Sequence, residues 1–150
     1  MADFTTDERQ GVAALAVEFS WRIDHQAGLG VAALFTEDGV YGYDGFEMRG
    51  TAGIEAFYRE RRERGKRLSR HIFSSARLAR GDDGSISAWS TLSLYAADGE
   101  PPFPASATAI MDYQDRIVCI AGSYRYARRW VTPLFGQMPQ LVAAQKNRGH

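Results

Sequence analysis

Between Thr5 and His25 the apolar residues recur at helical spacing, and Val12, Leu15, Ala16, Phe19 and Ile23 form one stripe. Thr5 followed three residues later by Glu8 has the form of a capping box, so a first helix is predicted to start there. On that wheel Asp24 falls roughly 120° from Val12, beside Ala13, Val17 and Ser20, on the shoulder of the apolar arc. Glu18, Arg22 and His25 lie opposite. Asp24 is therefore expected to face the protein and His25 to face water. A carboxylate at a helix C-terminus is disfavoured by the macrodipole, so another group must favour it there.

A short second helix is predicted over 27–35, packing through Leu29, Ala32, Ala33 and Leu34. Asp38-Gly39 and Asp44-Gly45 bracket Val40, Tyr41 and Tyr43, and with Phe46, Met48 and Arg49 they predict a small hairpin. Gly50 leads into a third helix over 51–64, with Ile54, Phe57 and Tyr58 facing inward. Its charged run RERRERGKR reads as a solvated helix face.

The second half alternates at period two and is rich in the β-branched and aromatic residues that pleated surfaces favour. Four strands are predicted, over 68–80, 85–97, 103–115 and 116–131. Gly81-Asp82-Asp83-Gly84 and Asp98-Gly99-Glu100-Pro101-Pro102 separate the first three, and Gln114-Asp115-Arg116 is expected to reverse the chain before the last. Short connections imply antiparallel neighbours. Within the second strand Trp89, Thr91, Ser93 and Tyr95 share one face and Ile86, Ala88, Leu92 and Leu94 the other. Neither face is plainly solvated, so one should meet the helices and the other a second copy of the chain, a homodimer. A weak apolar patch (Leu134, Phe135, Leu141, Val142) follows, then a polar end with His150.

At 150 residues one domain spanning 1–150 is expected, with 45% hydrophobic and 24% charged residues. Eighteen basic residues balance 18 acidic ones, so no excess charge points to nucleic acid. The polar N-terminus and the lack of a long apolar run argue against a signal peptide or membrane span. The single cysteine, Cys119, lies between Val118 and Ile120, which predicts a small buried hydrophobe in a reducing, cytoplasmic setting.

His71 is the only histidine inside a predicted strand, in the stretch LSRHIFSSARL that joins the helical half to the sheet. It has no histidine or cysteine partner at ligand spacing, so no metal site is expected. The glycines fall in turns and form no phosphate loop, and no nucleophile-elbow motif is present.

The order helix, helix, hairpin, helix, four strands resembles the nuclear transport factor 2-like superfamily, and within it the SnoaL-like group that includes scytalone dehydratase. Three stretches carry the resemblance: LFTEDGVYGYDG after the first helix, RGTAGIEAFY at the third, and RHIFSS with Tyr124 and Tyr126 in the sheet. The resemblance implies an α+β cone, with three N-terminal helices closing an apolar pocket against a bent, mostly antiparallel sheet. It implies a catalytic Asp24–His71 pair, with Tyr43 binding the substrate carbonyl and Tyr41, Phe19, Trp89, Thr91 and Tyr124 contacting the substrate. The implied activity is a cofactor-independent dehydratase (lyase) or isomerase acting on a small hydroxylated cyclic or aromatic ketone. A histidine oriented by a carboxylate can take a proton alpha to a carbonyl and return it to a leaving hydroxyl.

Two departures stand out. Ile23 occupies the place of the dehydratase's second tyrosine, and the strand 85–97 lacks its second histidine. Scytalone itself is therefore not the expected substrate. A non-catalytic module binding an apolar ligand, with His71 as a core histidine satisfied by Asp24, is the other reading.

Overall fold

The computed structural model describes residues 3–136. Helix α1 spans Thr6–Gln26 and opens with the expected capping box: the Glu8 amide donates to Thr5 Oγ1 at 3.1 Å, and the Thr5 amide to Glu8 Oε2 at 2.8 Å. Val12, Leu15, Phe19 and Ile23 are its buried residues. Ala27 stops it in the left-handed region, with the Gly28 amide returning to the Arg22 carbonyl at 2.8 Å.

The second predicted helix is reduced to one 3₁₀ turn, Val31–Leu34. Gly28 and Gly30 take φ of 82° and 81°, which an α-helix does not accommodate, so the segment must turn before it can coil. Strands β1 (Phe35–Tyr43) and β2 (Phe46–Arg49) form the hairpin, and α2 (Gly50–Glu63) follows it. Two α-helices and a 3₁₀ turn thus stand where three helices were expected.

Among the described residues the sheet has seven strands: β3 (Arg67–Phe73), β4 (Arg77–Arg80), β5 (Ile86–Asp98), β6 (Ala109–Ile120) and β7 (Ser123–Gly136) complete it. Its order is β2-β1-β7-β6-β5-β3, with β4 also on β5. Every pairing is antiparallel except β1 with β7. The architecture is α+β, helices on a mostly antiparallel sheet, as expected.

The single strand predicted over 68–80 is two. Phe73 pairs with Leu92 and Arg77 with Trp89, so four steps on one side oppose three on the other. The extra residue breaks the ladder between β3 and β4, in the manner of a bulge.

The reversal expected at Gln114-Asp115-Arg116 lies instead at Ala121-Gly122, where φ is 50° and 82°. Two successive positive φ values match the right-handed twist of a two-residue hairpin. The charged trio runs straight through β6 because Asp115 is turned inward, 5% exposed, against a buried arginine. Cys119 is exposed rather than buried, since it lies past Ile117, the last inward residue of β6, two residues before that turn.

A second bulge shapes the core. Arg116 pairs with Arg128 and Ile117 with Tyr126, so one step along β6 meets two along β7. Ala127 is the extra residue, and its insertion lets both Tyr126 and Arg129 face inward although they are three apart. Phe19, fully buried, meets Tyr41, Phe73, Tyr113 and Tyr126 edge-on at centroid distances of 5.7 to 6.5 Å. Residues Leu141, Val142 and His150 lie outside the described residues.

Candidate functional site

Helix α1 crosses the start of β3 where its last turn presents Asp24. The carboxylate receives three hydrogen bonds from β3. His71 Nδ1 lies 2.7 Å from Oδ1, the His71 amide donates to Oδ2 at 2.7 Å, and Ser69 Oγ donates to Oδ1 at 2.8 Å. The side chains of His71 and Asp24 are only 10% and 5% exposed. These donors are the group that a carboxylate at this helix end requires. Burial alone would raise the Asp24 pKa, but the His71 ring, its charge and amide, and the Ser69 hydroxyl outweigh it, and the net shift is downward. An ionised carboxylate only accepts, so Nδ1 carries a hydrogen and Nε2 is the ring nitrogen left to exchange a proton. His25, by contrast, is exposed and stacks on Trp21 at 4.1 Å.

Ser69 also accepts a hydrogen bond from Arg61 Nη2 at 3.2 Å, so a chain runs Arg61, Ser69, Asp24, His71 from α2 to α1 through β3. The residues at 69, 71 and 73 share a face by strand alternation. Arg61 follows Ile54 and Tyr58 at helical spacing, all three buried. Both signals are present in the sequence. The arginine escapes them because its neighbours in RERRERGKR are solvated.

His71 lies between two spaces. An inner cavity of about 60 Å³ lies between α2 and the sheet, where Tyr41, Tyr58 and Tyr113 join Arg61, Ser69 and His71. An outer groove of about 670 Å³ runs along α1, with Asp24 and His71 on its wall beside Trp21, Ile72 and Ser74. In the inner cavity the Tyr41 and Tyr113 hydroxyls lie 2.8 Å apart. Burial raises the pKa of Tyr41, Tyr58 and Tyr113, so all three stay neutral phenols, with one proton of the Tyr41–Tyr113 pair held in the bond between them.

Under this site Arg129 and Asp115 form a bidentate pair, with Nε to Oδ1 at 2.8 Å and Nη2 to Oδ2 at 3.0 Å. The guanidinium carbon lies 4.1 to 5.0 Å from the ring centroids of Phe19, Phe73, Tyr113 and Tyr126. Its Nη1 has no hydrogen-bond partner among the described residues, and the four aromatic faces are what it meets. Arg129 thereby holds in place rings that back both His71 and the tyrosine pair.

The structure does not bring every expected site residue to the cavity. Tyr43 packs on Phe46 at 5.9 Å near the hairpin turn, and Tyr41, two residues earlier, lines the cavity instead. Phe19 backs the His71 ring at 6.3 Å from within the core. Trp89, 39% exposed, and Thr91, bonded to Asp112 at 2.9 Å, lie on the outer face of the sheet. Tyr124 packs against Gly11 near the start of α1. Strand parity explains Trp89 and Thr91: the inward residues of β5 are the alternating Ile86, Ala88 and Leu92. Among the described residues no cluster of three metal-ligating side chains occurs, and no helix is long and apolar enough to cross a membrane.

No curated protein matches the chain. Among solved structures it is similar to ActVI-ORFA from Streptomyces coelicolor, at 26% identity with a TM-score of 0.76, covering 87% of this chain and 99% of that one. It is also similar to Rv3472 from Mycobacterium tuberculosis, a protein of unknown function. There the identity is 24% and the TM-score 0.71, over 83% of this chain and 70% of that one. A protein from Novosphingobium aromaticivorans, provisionally assigned as a scytalone dehydratase, shares the fold with a TM-score of 0.73 at 17% identity, over 85% of each chain. The SnoaL-like domain model matches residues 5–130, and the chain belongs to that family.

Proposed function

We propose that this protein is a cofactor-independent lyase or isomerase that moves a proton alpha to the carbonyl of a small hydroxylated cyclic or aromatic ketone. His71 Nε2 takes the proton, and the ring returns it either to the leaving hydroxyl, which departs as water, or to another carbon. Asp24 holds the tautomer and offsets the charge of the imidazolium. The bonded Tyr41–Tyr113 hydroxyl pair, rather than Tyr43, supplies the donor to the oxygen on which enolate charge develops, one hydroxyl giving its proton to the other and the second giving its proton to the substrate. One observation carries this reading: Asp24 takes the Nδ1 side of the His71 ring, and that ring lines the same cavity as the Tyr41 and Tyr113 hydroxyls, which lie 2.8 Å from one another. The test is proton exchange. Candidate cyclic ketones in D2O should lose their alpha-proton NMR signal with the wild type and keep it with His71→Ala; exchange undiminished in that variant would end the reading.

The cavity volume favours a second reading. About 60 Å³ holds a few waters and is less than a ring needs without movement of its walls. In a module that only binds its ligand, the pair would fasten α1 to β3. Ligand binding with no exchange of any alpha proton would support that role.

We also infer a homodimer formed through the outer sheet face, where Trp89 and Tyr95 remain 39% and 37% exposed.

A further inference from the structure

The outer groove, about 670 Å³, lies within the roughly 300–1,000 Å³ typical of small-molecule sites. Its lips carry large apolar side chains that stand open to solvent: Val17 at 66% and Trp21 at 51% on α1, and Ile72 at 57% on β3. Exposed apolar groups gathered on one cleft mark a binding surface. Trp21 stacks on His25 at 4.1 Å with the ring planes 29° apart, so one turn of helix presents two flat rings together. Ala13, Ala16 and Ser20, which also border the groove from α1, are too small to fill it.

The floor is different. Arg129 and Asp115 border the outer groove and not the inner cavity. Asp115 takes Nε and Nη2 of the guanidinium, so Nη1 is the nitrogen turned away from that carboxylate. It is a buried donor without an acceptor among the described residues. Aromatic faces attract the cation but accept N–H bonds only weakly, so this donor lacks a full partner. An anion entering the groove would meet the Asp115 carboxylate as well as the arginine. An uncharged oxygen would take the Nη1 proton without that repulsion.

We propose that the outer groove binds an uncharged, flat aromatic ligand, which lays its ring between Trp21 and Ile72 and gives an acceptor oxygen to Arg129 Nη1. The site is separate from the inner cavity and does not rest on the acid–base reading; His71 is the wall that the two spaces share. Arg129 is 1% exposed, so the oxygen reaches it when one of the surrounding rings turns aside. Phe73 is that ring. It borders the groove, it is the one of the four that is only half-buried, and at 5.0 Å it lies farthest from the guanidinium carbon.

NMR titration with 2-acetylnaphthalene and with 2-ethylnaphthalene, the same carbon skeleton without the oxygen, tests the site. The ligand pair replaces a variant of Arg129, whose loss would damage the core. The ketone is expected to give NOEs to the Trp21 indole and the Ile72 methyls and to shift the Arg129 guanidinium signals. It should bind about tenfold more tightly than the hydrocarbon, the worth of one hydrogen bond to a charged group. Trp21→Ala and Ile72→Ser, both at exposed positions, should each weaken it about fivefold or more. NOEs to Leu94 and Met111 instead would put the ligand in the inner cavity and overturn the proposal, with the acid–base reading untouched. Equal affinity for ketone and hydrocarbon, or unmoved Arg129 signals, would overturn the role given to Nη1. 2-Naphthoate should bind more weakly than the ketone, and tighter binding would overturn the uncharged class. Affinity unchanged in both variants would overturn the site itself. A fall in sedimentation mass caused by Trp21→Ala would assign the groove to a second copy of the chain and likewise end the proposal.

Discussion

Asp24 grips His71 twice, taking the ring nitrogen Nδ1 at one carboxylate oxygen and the main-chain amide at the other, each at 2.7 Å. One carboxylate thus fixes both the imidazole and the strand that carries it. A general base held this way keeps its orientation through turnover. His71→Ala and Asp24→Asn should each lower kcat by roughly 10²- to 10⁴-fold on a substrate that the wild type turns over. The double variant should be little worse than either single one, because the two act as a unit. Steady-state rates of the three variants check this, and additive losses would show that the residues act separately.

The same contact makes stability depend on pH. The Asp24 carboxyl in the folded chain lies below its ordinary value of 3.8, so the folded state binds its proton less readily than the unfolded state. A lowered pKa contributes stability that is whole above about 3.8 and drains away as pH falls through the lower folded value. Urea denaturation of wild type and Asp24→Asn should therefore differ most near neutral pH, and the gap should narrow below about pH 4. A gap that does not narrow on acidification would place the stabilisation elsewhere.

Tyr41→Phe breaks the bond to Tyr113, and with it the hydroxyl pair proposed to donate to the substrate oxygen. It should reduce kcat/KM by roughly tenfold, the worth of about one hydrogen bond. Tyr43→Phe, at a ring packed on Phe46 near the hairpin turn, should leave kcat/KM within about twofold. The opposite ranking would return the carbonyl-binding role to Tyr43.

The architecture was legible because the helical stripe of α1 and the alternation of β5 and β6 are undisturbed over long stretches. Asp24 was legible from its phase on the helix, and His71 as the one histidine inside a predicted strand, while their pairing was what the family resemblance implied. Errors gathered where a local rule was overridden by a tertiary partner or by an inserted residue. Gln114-Asp115-Arg116 looked like a turn because charges in a strand interior need a buried counter-charge, and that counter-charge, Arg129, is 14 residues away. The bulge at Ala127 shifts the inward phase of β7 between Tyr126 and Arg129, which no fixed period reveals. Tyr43 and Tyr41 point to the same side of β1 by parity, so only the position of the hairpin turn separates a pocket residue from one beyond its edge.

Sedimentation velocity tests the dimer. Mass near twice 16.7 kDa is expected at tens of micromolar protein, and Trp89→Glu should shift it to the monomer. A monomer at high micromolar concentration would remove the outer sheet face as an interface.

Arg129 and Asp115 offer the sharpest stability test. Both are nearly inaccessible, at 1% and 5%, so removing either one leaves an uncompensated charge in the core. Arg129→Met should destabilise the fold by about 3–5 kcal/mol, the cost of breaking a buried pair from one side. It should also loosen the rings of Phe19, Phe73, Tyr113 and Tyr126 that now surround the guanidinium. Asp115→Leu alone should be comparably damaging, since the cation cannot shed its proton. Combined, the two changes remove both charges and replace them with apolar volume, so the double variant should recover most of the loss. Because Tyr113 bonds Tyr41 and also packs on the guanidinium, a repaired fold need not mean a repaired site. Chemical denaturation reads the first effect and ligand affinity the second. A double variant no more stable than Arg129→Met would show that the pair is not the unit that holds this core.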